Sequence, residues 1–543
     1  MGDVAKPRRA WVVFVYVLLL AGCDTGPAPM TADSGPGLDA GDAPPDAATS
    51  HGDAGELPSG DAACPSEGSG TMELLRTPDI RFDGLPGYPF EPHYLCVDDP
   101  TGEPGNGRIR MHYGYSGPED APTLLLFHGN PSWSYLFRRV IPIINDAGYR
   151  TVILDYVGHG RSDKPANESD YTYDRHLEWT RQAVAEIDSE IDLQPVVLFG
   201  HDYGHPFGAR LIAQHYPDLF DGFINGNAGL NRGLTGLSPR HEQWRDFVRR
   251  ASIVPIGQII CANPARAAAG LTPCSEEVQS AYMAPFPSRE YQASVRAFPE
   301  FVPEDTTWPE AQSNQAAWDH LTSDFTEPYM VIWENADIPD ARRNRRAEYI
   351  AEVPGAFGHE QPQFRTGHYS PEDNPEGVAT AIIRFLDDIY TPNTFTSVLR
   401  TDFTGGLDGV SCTGSGCSHD DVANAVRLSG TESPALVQDE AMDLSTANEI
   451  KVAFRYLPRD MNEGDEIRVD LSDGTDWTPV LTLRRGAEFD DGDFFNGSTD
   501  YGFVRLSPDR VPFTSDARIR LRVLSRSHGA TVILEELGIY VHD

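Results

Sequence analysis

The segment LFGHDYGHPFG, residues 198–208, is the feature that most restricts the possible folds of this chain. Asp202 lies between Gly200 and Gly204, after the apolar run PVVLFG and before the helix-like segment GHPFGARLIAQHY. A strained turn from a strand into a helix needs small residues on both sides of the residue at its apex. The segment therefore predicts a nucleophile elbow with a carboxylate at the apex. An aspartate that only caps the helix would fit the same local pattern.

Strands and helices alternate around this turn from about residue 73 to 392. The runs APTLLLFHG, YRTVILDYVGHG, DGFINGNAG and EPYMVIWENAD are short and apolar, as buried parallel strands are, and LEWTRQAVAEID has helical periodicity. Pro-punctuated helical segments at about residues 231–322 interrupt the alternation. The pattern predicts an α/β domain with an inserted helical cap.

Two segments further along the chain provide candidate partners for Asp202. Asp337 follows the predicted strand YMVIW, and His368 immediately precedes the amphipathic segment GVATAIIRFL. The order nucleophile, acid, histidine is that of α/β-hydrolases. His359 competes with His368 as the base, but the position just before the terminal helix favours His368. Catalytic roles are therefore predicted for Asp202, Asp337 and His368.

Residues about 85–392 resemble the haloalkane dehalogenases of the α/β-hydrolase superfamily. The resemblance is carried by HGNPSWSYLFRRVIP, GHGRSDKP, the aspartate-bearing elbow, SAYMAPFPSREYQASVRAFPEFVP and VPGAFGHEQPQFRTGHYSPEDNP. The cap segment among these is the most discriminating, because other hydrolases share the remaining motifs. The resemblance implies an α/β-hydrolase fold with a helical cap, a small apolar substrate and no cofactor.

The chemistry implied by the resemblance explains why a carboxylate occupies the elbow. Asp202 would displace a halide from a saturated carbon and form an alkyl ester. His368 would activate water to hydrolyse that ester, and Asp337 would hold the imidazole and stabilise its charged form. No His or Cys cluster has zinc-site spacing, so no metal is expected.

The halide and the ester oxygen both need hydrogen-bond donors, and the resemblance indicates their positions. Backbone N–H groups of the HGNP turn and of Tyr203 are expected to form an oxyanion hole. Asn130 of that turn and Trp244 in the cap match family positions that bind halide. Tyr203 departs from the family, which has tryptophan beside the nucleophile, and His205 stands where the family usually has glycine. Trp244 also fits an ordinary helical packing stripe.

Two other functions fit parts of the sequence. An epoxide hydrolase would use the same aspartate and would activate the epoxide oxygen with cap tyrosines, for which Tyr282 and Tyr291 are available. A surface binding protein built on a disabled hydrolase is the non-enzyme alternative. The intact set of Asp202, Asp337 and His368 argues against that alternative.

The N-terminal segment KPRRAWVVFVYVLLLAGC has a basic start, a short apolar run and small residues before a cysteine. It resembles a bacterial lipoprotein signal comprising residues 1–22, with Cys23 as the lipidated residue. An uncleaved membrane anchor is the alternative. Residues 23–72 are rich in Gly, Pro, Ala, Asp and Ser and predict a disordered linker. The protein is therefore expected to be an exported lipoprotein that contacts membranes only through its lipid.

Six cysteines remain besides Cys23. An exported protein meets an oxidising compartment, where an even number of cysteines favours disulfide bonds. Short loops favour Cys261 with Cys274 and Cys412 with Cys417, after which Cys64 would pair with Cys96. Buried free thiols are the alternative.

The charge of the chain excludes one class of partner. Lys and Arg number 43 against 82 Asp and Glu, a formal net charge of −39. A surface so acidic repels nucleic acid, which is therefore not an expected partner.

Residues 395–543 have the pattern of a second domain. Short alternating segments such as NEIKVAFRYLP, GDEIRVDLSDG and ARIRLRVLS are separated by Gly, Asp and Pro. They predict a β-sandwich, similar to the jelly-roll modules of secreted bacterial enzymes, with no catalytic cluster and no identifiable partner. The segment DLSDGTDW predicts a turn, and a calcium site is the alternative interpretation.

Overall fold

The computed structural model describes residues 64, 72–101, 108–334, 340–391, 395–420, 422–431, 433–485, 499–525 and 529–542, with side chains from residue 345 in the segment that begins at 340. The predicted signal, Cys23, most of the predicted linker and Asp337 lie outside these residues.

An eight-stranded sheet organises the part of the chain before residue 392. The strands here are β1 Leu74–Leu75, β2 His93–Val97, β3 Ile109–Ser116, β4 Thr123–Phe127, β5 Arg150–Asp155, β6 Lys164–Pro165, β7 Val196–His201, β8 Gly222–Gly226, β9 Tyr329–Glu334 and β10 Gln363–Phe364. Eight of them form the sheet in the order β10-β9-β8-β7-β4-β5-β3-β2, and β1 pairs separately with β6. Across the sheet from β5 to β10, each strand is parallel to its neighbour. Strand β3, in contrast, is antiparallel to both β5 and β2. Every residue of β4, β7, β8 and β9 is buried, which explains their continuous apolar runs.

Helices cover this sheet and fill the long segment between β8 and β9. The α-helices are α1 Val140–Asp146, α2 Tyr173–Ile191, α3 Gly204–Gln214, α4 Pro239–Arg250, α5 Ile256–Cys261, α6 Pro264–Ala268, α7 Glu276–Met283, α8 Ala293–Ala297, α9 Pro309–Ser323, α10 Asp340–Glu352, α11 Ser370–Asp373 and α12 Pro375–Tyr390. Within the described residues, no helix has both the length and the apolar character needed to span a membrane. The architecture agrees with the α/β-hydrolase fold that the motifs predict.

The last helix of the inserted segment packs differently from the rest of that segment. Helix α9 packs on α3, where Arg210 donates from Nε to Asn314 Oδ1 at 3.0 Å. Arg210 also donates to the backbone oxygen of Glu310 at 2.9 Å. The last helix of the predicted cap stretch therefore belongs to the layer that covers the sheet.

The C-terminal part of the chain consists largely of strands in two antiparallel sheets. Its strands are β11 Thr396–Thr401, β12 Val410–Thr413, β13 Cys417–Asp420, β14 Ala425–Ser429, β15 Ala435–Gln438, β16 Glu449–Arg459, β17 Glu466–Ser472, β18 Trp477–Arg484, β19 Asp500–Leu506, β20 Arg518–Leu524 and β21 Thr531–His542. One sheet has the order β13-β14-β21-β16-β19 with β11 on β21, and the other has the order β12-β15-β20-β17-β18. A single cluster of buried apolar side chains draws on both sheets, including Phe454 and Leu521.

Polar contacts join the C-terminal sheets to the first part of the chain. Tyr501 accepts from the backbone N–H of Gly358 and donates to the backbone oxygen of His359, both at 3.0 Å. Asp388, at the end of α12, lies 2.6 Å from Lys451 Nζ and 2.8 Å from Arg505. Burial lowers the pKa of Lys451 to about 8 although Asp388 opposes the shift. These buried charges hold the β-strand region against the terminal helix.

The six cysteines described by the structure form three disulfides. They join Cys64 to Cys96, Cys261 to Cys274 and Cys412 to Cys417. The pairing expected from chain proximity is confirmed.

Candidate active site

The elbow predicted at Asp202 is present. Asp202 follows β7 and precedes α3, and it has a φ of 51°, in the left-handed region that side chains rarely adopt. A Cβ at Gly200 would lie 2.5 Å from the backbone nitrogen of His205, and one at Gly204 would lie 2.4 Å from the backbone oxygen of Phe127. Only glycine fits at either side of the turn, so the packing explains the Gly-x-Asp-x-Gly spacing.

The carboxylate of Asp202 is held by backbone donors. The N–H of Asn130 donates to Oδ1 at 2.9 Å, and the N–H of Tyr203 also hydrogen-bonds to this carboxylate. Burial would raise the pKa of Asp202, but His368 and these donors together keep the pKa below its usual value. Asp202 is therefore ionised at neutral pH, as a carboxylate nucleophile must be.

His368 is the histidine beside Asp202. Its Nε2 lies 3.3 Å from Oδ2 of Asp202. His359, the competing candidate, instead lies at the contact with the β-strand region, where its Nδ1 is 3.6 Å from Asp388 Oδ2. The structure therefore places His368, and not His359, where a base for Asp202 chemistry must be.

The other ring nitrogen of His368 contacts a residue that sequence reasoning missed. The side-chain nitrogen Nδ2 of Asn227 lies 2.7 Å from Nδ1 of His368 and 3.5 Å from its backbone oxygen. Asn227 therefore contacts the ring on the side opposite the Nε2 that faces Asp202. Asn227 follows β8, the strand beside the elbow strand, and strand ends at one edge of a parallel sheet are where sites form.

A second missed residue is Glu334, the last residue of β9. Its side chain is 1% exposed and its Oε1 lies 4.0 Å from Nδ1 of His368, which is beyond hydrogen-bonding distance. Asp337 comes three residues later along the chain, outside the described residues. Position at the end of a parallel strand on the elbow's side of the sheet was the sequence signal available for Asn227 and Glu334.

The two histidines that flank Asp202 in the chain, His201 and His205, point into the protein. His201 donates from Nε2 to the backbone oxygen of His368 at 2.9 Å, and burial lowers the pKa of His201 to about 4. His205 has Nε2 at 2.8 Å from the hydroxyl of Tyr329, and burial lowers its pKa to about 3. Both rings stay neutral at pH 7, and His201 supports the backbone that carries His368.

A cavity of about 590 Å³ opens beside Asp202. It brings together five predicted site residues: Asn130, Asp202, Tyr203, Trp244 and His368. Trp244 reaches it from α4 and is partly buried against the apolar core. Substrate therefore has room between the elbow and the inserted helices.

The phenol of Tyr203 is already engaged. Its hydroxyl donates to the backbone oxygen of Phe298 at 2.6 Å. The one O–H proton of Tyr203 is therefore committed to the inserted segment. The Asn130 side-chain amide is less committed, with a longer contact of 3.3 Å from Nδ2 to the backbone oxygen of Val295.

Known proteins resemble parts of this chain. A family model described as the alpha/beta hydrolase fold matches residues 122–262. A haloalkane dehalogenase of Psychrobacter cryohalolentis is 38% identical over 318 residues, which cover 58% of this chain and 99% of that protein. One of Mycobacterium marinum is 36% identical over 312 residues, again 58% of this chain and 99% of that protein. The solved structure of a tetrameric haloalkane dehalogenase from Paraglaciecola agarilytica covers 59% of this chain and 99% of its own, at 28% identity and a TM-score of 0.49.

The fold and the elbow make this protein an α/β hydrolase. With relatives matched over almost their whole length, the chain belongs to the haloalkane dehalogenase family. It is a hydrolase that resembles haloalkane dehalogenases, and the C-terminal strands lie beyond the region that these relatives match.

Proposed function

We propose that this protein hydrolyses carbon–halogen bonds of small molecules through an ester on Asp202. The observation that carries the proposal is an ionised carboxylate at the elbow with Nε2 of His368 3.3 Å from it. The names of its relatives support the same reaction. Measurement of halide release from chloro- and bromoalkanes, beside an epoxide panel, tests it directly.

The first step is an in-line displacement. Oδ2 or Oδ1 of Asp202 forms a bond to the carbon while the carbon–halogen bond breaks and the halide leaves with the electron pair. A bare halide in a closed cavity is costly without donors. The Asn130 side-chain amide and the Trp244 indole N–H are the proposed donors, while the Tyr203 hydroxyl stays on the backbone.

The second step frees the enzyme. His368 takes a proton from water at Nε2, and the resulting hydroxide attacks the ester carbonyl carbon of Asp202. The backbone N–H groups of Asn130 and Tyr203, which already point at the carboxylate, stabilise the oxyanion. The intermediate then collapses and the alcohol takes a proton from His368. The Asp202 carboxylic acid that remains releases its proton to water, which restores the carboxylate. Asp337 is proposed to stabilise the imidazolium, with Asn227 holding the ring.

The two cap tyrosines considered for the epoxide alternative do not line the cavity. Tyr282 is fully buried and donates to Glu372 Oε2 at 2.6 Å. Neither Tyr282 nor Tyr291 is among the described residues that line the cavity. The geometry therefore favours a leaving halide over an opening epoxide, and the assembled site argues against a purely binding role.

Trp244→Phe tests whether the indole serves the halide or only packs. We expect kcat/KM for bromohexane to fall roughly ten- to a hundredfold, since a neutral donor to a developing anion is worth about 1.5 to 3 kcal/mol. Phenylalanine keeps the ring contact with Phe247, whose centroid is 5.8 Å away. Phe247→Leu is the control and should change the rate by less than about twofold. Unchanged halide release from Trp244→Phe would assign Trp244 to packing.

The finer description of the C-terminal part is also a proposal. We infer a jelly-roll-like β-sandwich over residues 395–543, following a hydrolase domain at 73–392 with a cap at about 231–322. One apolar core shared by two antiparallel sheets supports it. In DLSDGTDW, Asp473 Oδ1 accepts from the N–H groups of Thr475 and Asp476, which supports the turn interpretation over calcium binding.

Residues 1–22 are proposed to be a lipoprotein signal, Cys23 the acylated residue, and the following residues a linker to the hydrolase. The protein would then be exported and held on a membrane. Three disulfides support an oxidising compartment.

Cys23→Ser is expected to move the protein from the membrane fraction to the soluble fraction of the producing cells. Without the lipid, nothing else in this proposal holds the chain at the membrane. Fractionation followed by immunoblotting measures the change. Residues 1–22 still attached to the mature wild-type protein would contradict the lipoprotein assignment.

A further inference from the structure

Two arginines stand in the wall of the catalytic cavity. Arg240 lies on α4, four residues before Trp244, and Arg345 lies on α10. The guanidinium of Arg345 covers Gly229, since a Cβ at that glycine would lie 2.4 Å from Nη1. The wall is therefore cationic on the cap side and on the side of the sheet.

Among the described residues that line the cavity, Asp202 is the only carboxylate. Two arginines and one carboxylate therefore line the cavity among the described residues of a chain whose net charge is −39. Clefts lined by one sign of charge concentrate ligands of the opposite sign.

Two asparagines of the cavity wall already form hydrogen bonds within the protein. Asn263 Oδ1 accepts from the N–H of Arg266 at 2.9 Å, and Asn314 donates to the backbone oxygen of Asn231 at 2.6 Å. Arg240 and Arg345 also interact with other residues of the chain, which holds them in place. Each guanidinium has five N–H donors, so a held arginine still binds a ligand.

A wholly apolar substrate forms no hydrogen bonds with the arginines of this wall. It would remove water from two charged groups and give no hydrogen bond in return. A carboxylate matches the planar fork of a guanidinium and restores the lost hydrogen bonds. The wall therefore favours a molecule with a carbon–halogen bond at one end and an anion at the other.

We propose that the preferred substrates are halogenated alkanes that carry an anionic group, such as an ω-haloalkanoate, and that Arg240 and Arg345 bind that group. This inference rests on the proposed function and names its substrate class. The reaction consumes one ω-bromoalkanoate and one water and yields the ω-hydroxyalkanoate, bromide and one proton. Carbon, halogen and charge balance without any added reactant.

The test compares two bromides of nearly equal length, ω-bromohexanoate and the neutral ω-bromohexanol, with bromide release as the readout. For the wild-type full chain we expect kcat/KM for the acid to exceed that for the alcohol by roughly tenfold at low ionic strength. The ratio should fall as salt is added, because partly exposed charges are screened.

Arg240→Gln and Arg345→Gln should each lower the acid-to-alcohol ratio by roughly fivefold to tenfold. Arg250→Gln is the matched control on the same helix, because its side chain is 80% exposed and pairs with Asp246. That control should leave the ratio unchanged. Circular dichroism confirms that each variant is folded, and the salt dependence of the wild type gives an independent reading if a variant does not fold.

The outcomes separate the two proposals. An acid preference that salt and both cavity variants reduce supports the inference. A ratio near or below one, or a ratio that neither salt nor the cavity variants change, overturns it while bromide release from the alcohol leaves the proposed function standing. No bromide from either substrate removes both proposals.

Discussion

His368→Phe is expected to stop the reaction after its first step. The variant should still transfer the alkyl group of a bromoalkane to Asp202, but it lacks the base that activates water for ester hydrolysis. We expect multiple turnover to fall by at least roughly a thousandfold, as when a catalytic histidine is removed from a triad. The ring should be tolerated, because His368 packs against Tyr369 with centroids 4.9 Å apart. Intact-protein mass spectrometry then shows one added alkyl group per chain.

The adduct must depend on Asp202. In the double variant that combines Asp202→Asn with His368→Phe, no mass should be added, because a neutral amide is a poor nucleophile. Peptide mapping should locate the adduct of the single variant within residues 198–208. An adduct that persists in the double variant would remove Asp202 from the mechanism and would contradict the proposed function.

Asp337→Asn is the change expected to have the second-largest effect. Asp337 is proposed to accept the Nδ1 proton of His368 and to stabilise the imidazolium that forms during ester hydrolysis. An amide in its place removes that charge, and the comparable change in a serine-protease triad costs roughly 10⁴ in kcat. We expect kcat for bromohexane to fall by about a thousandfold or more. The alkylation rate, followed in a single turnover, should change much less.

Glu334→Gln is the matched control for the acid. Glu334 is the buried carboxylate nearest to Nδ1 among the described residues, but 4.0 Å is too long for a hydrogen bond. Its replacement should reduce kcat by less than roughly tenfold. If Glu334→Gln instead arrests ester hydrolysis and Asp337→Asn does not, the acid is Glu334.

The elbow and its histidine could be predicted because their signals are local. The glycines around Asp202 and the strand and helix on either side lie within a few residues of each other. The position of His368 just before the terminal helix was enough to prefer it over His359. The disulfides were also predictable in part, since chain proximity limited the choices.

Other parts of the site depend on packing between distant segments. Tyr203 stands beside the nucleophile in the chain, yet its hydroxyl is directed to Phe298, 95 residues away. Asn227 meets His368 across 141 residues. Such contacts leave no periodic signal in the sequence, because the residues meet only after the strands have aligned.

The sequence by itself determined the α/β class, the carboxylate at the elbow and the histidine that serves it. These follow from hydrophobic periodicity and from the steric demand of one tight turn, both of which act over short stretches of chain. Only the tertiary structure decided that Tyr203 is tied to the inserted segment, that Asn227 contacts the ring of His368 and that Arg240 and Arg345 line the same cavity as Asp202. Charge and hydrogen bonding in a cavity depend on which strand ends and helices meet there, and that meeting is a property of the packed fold.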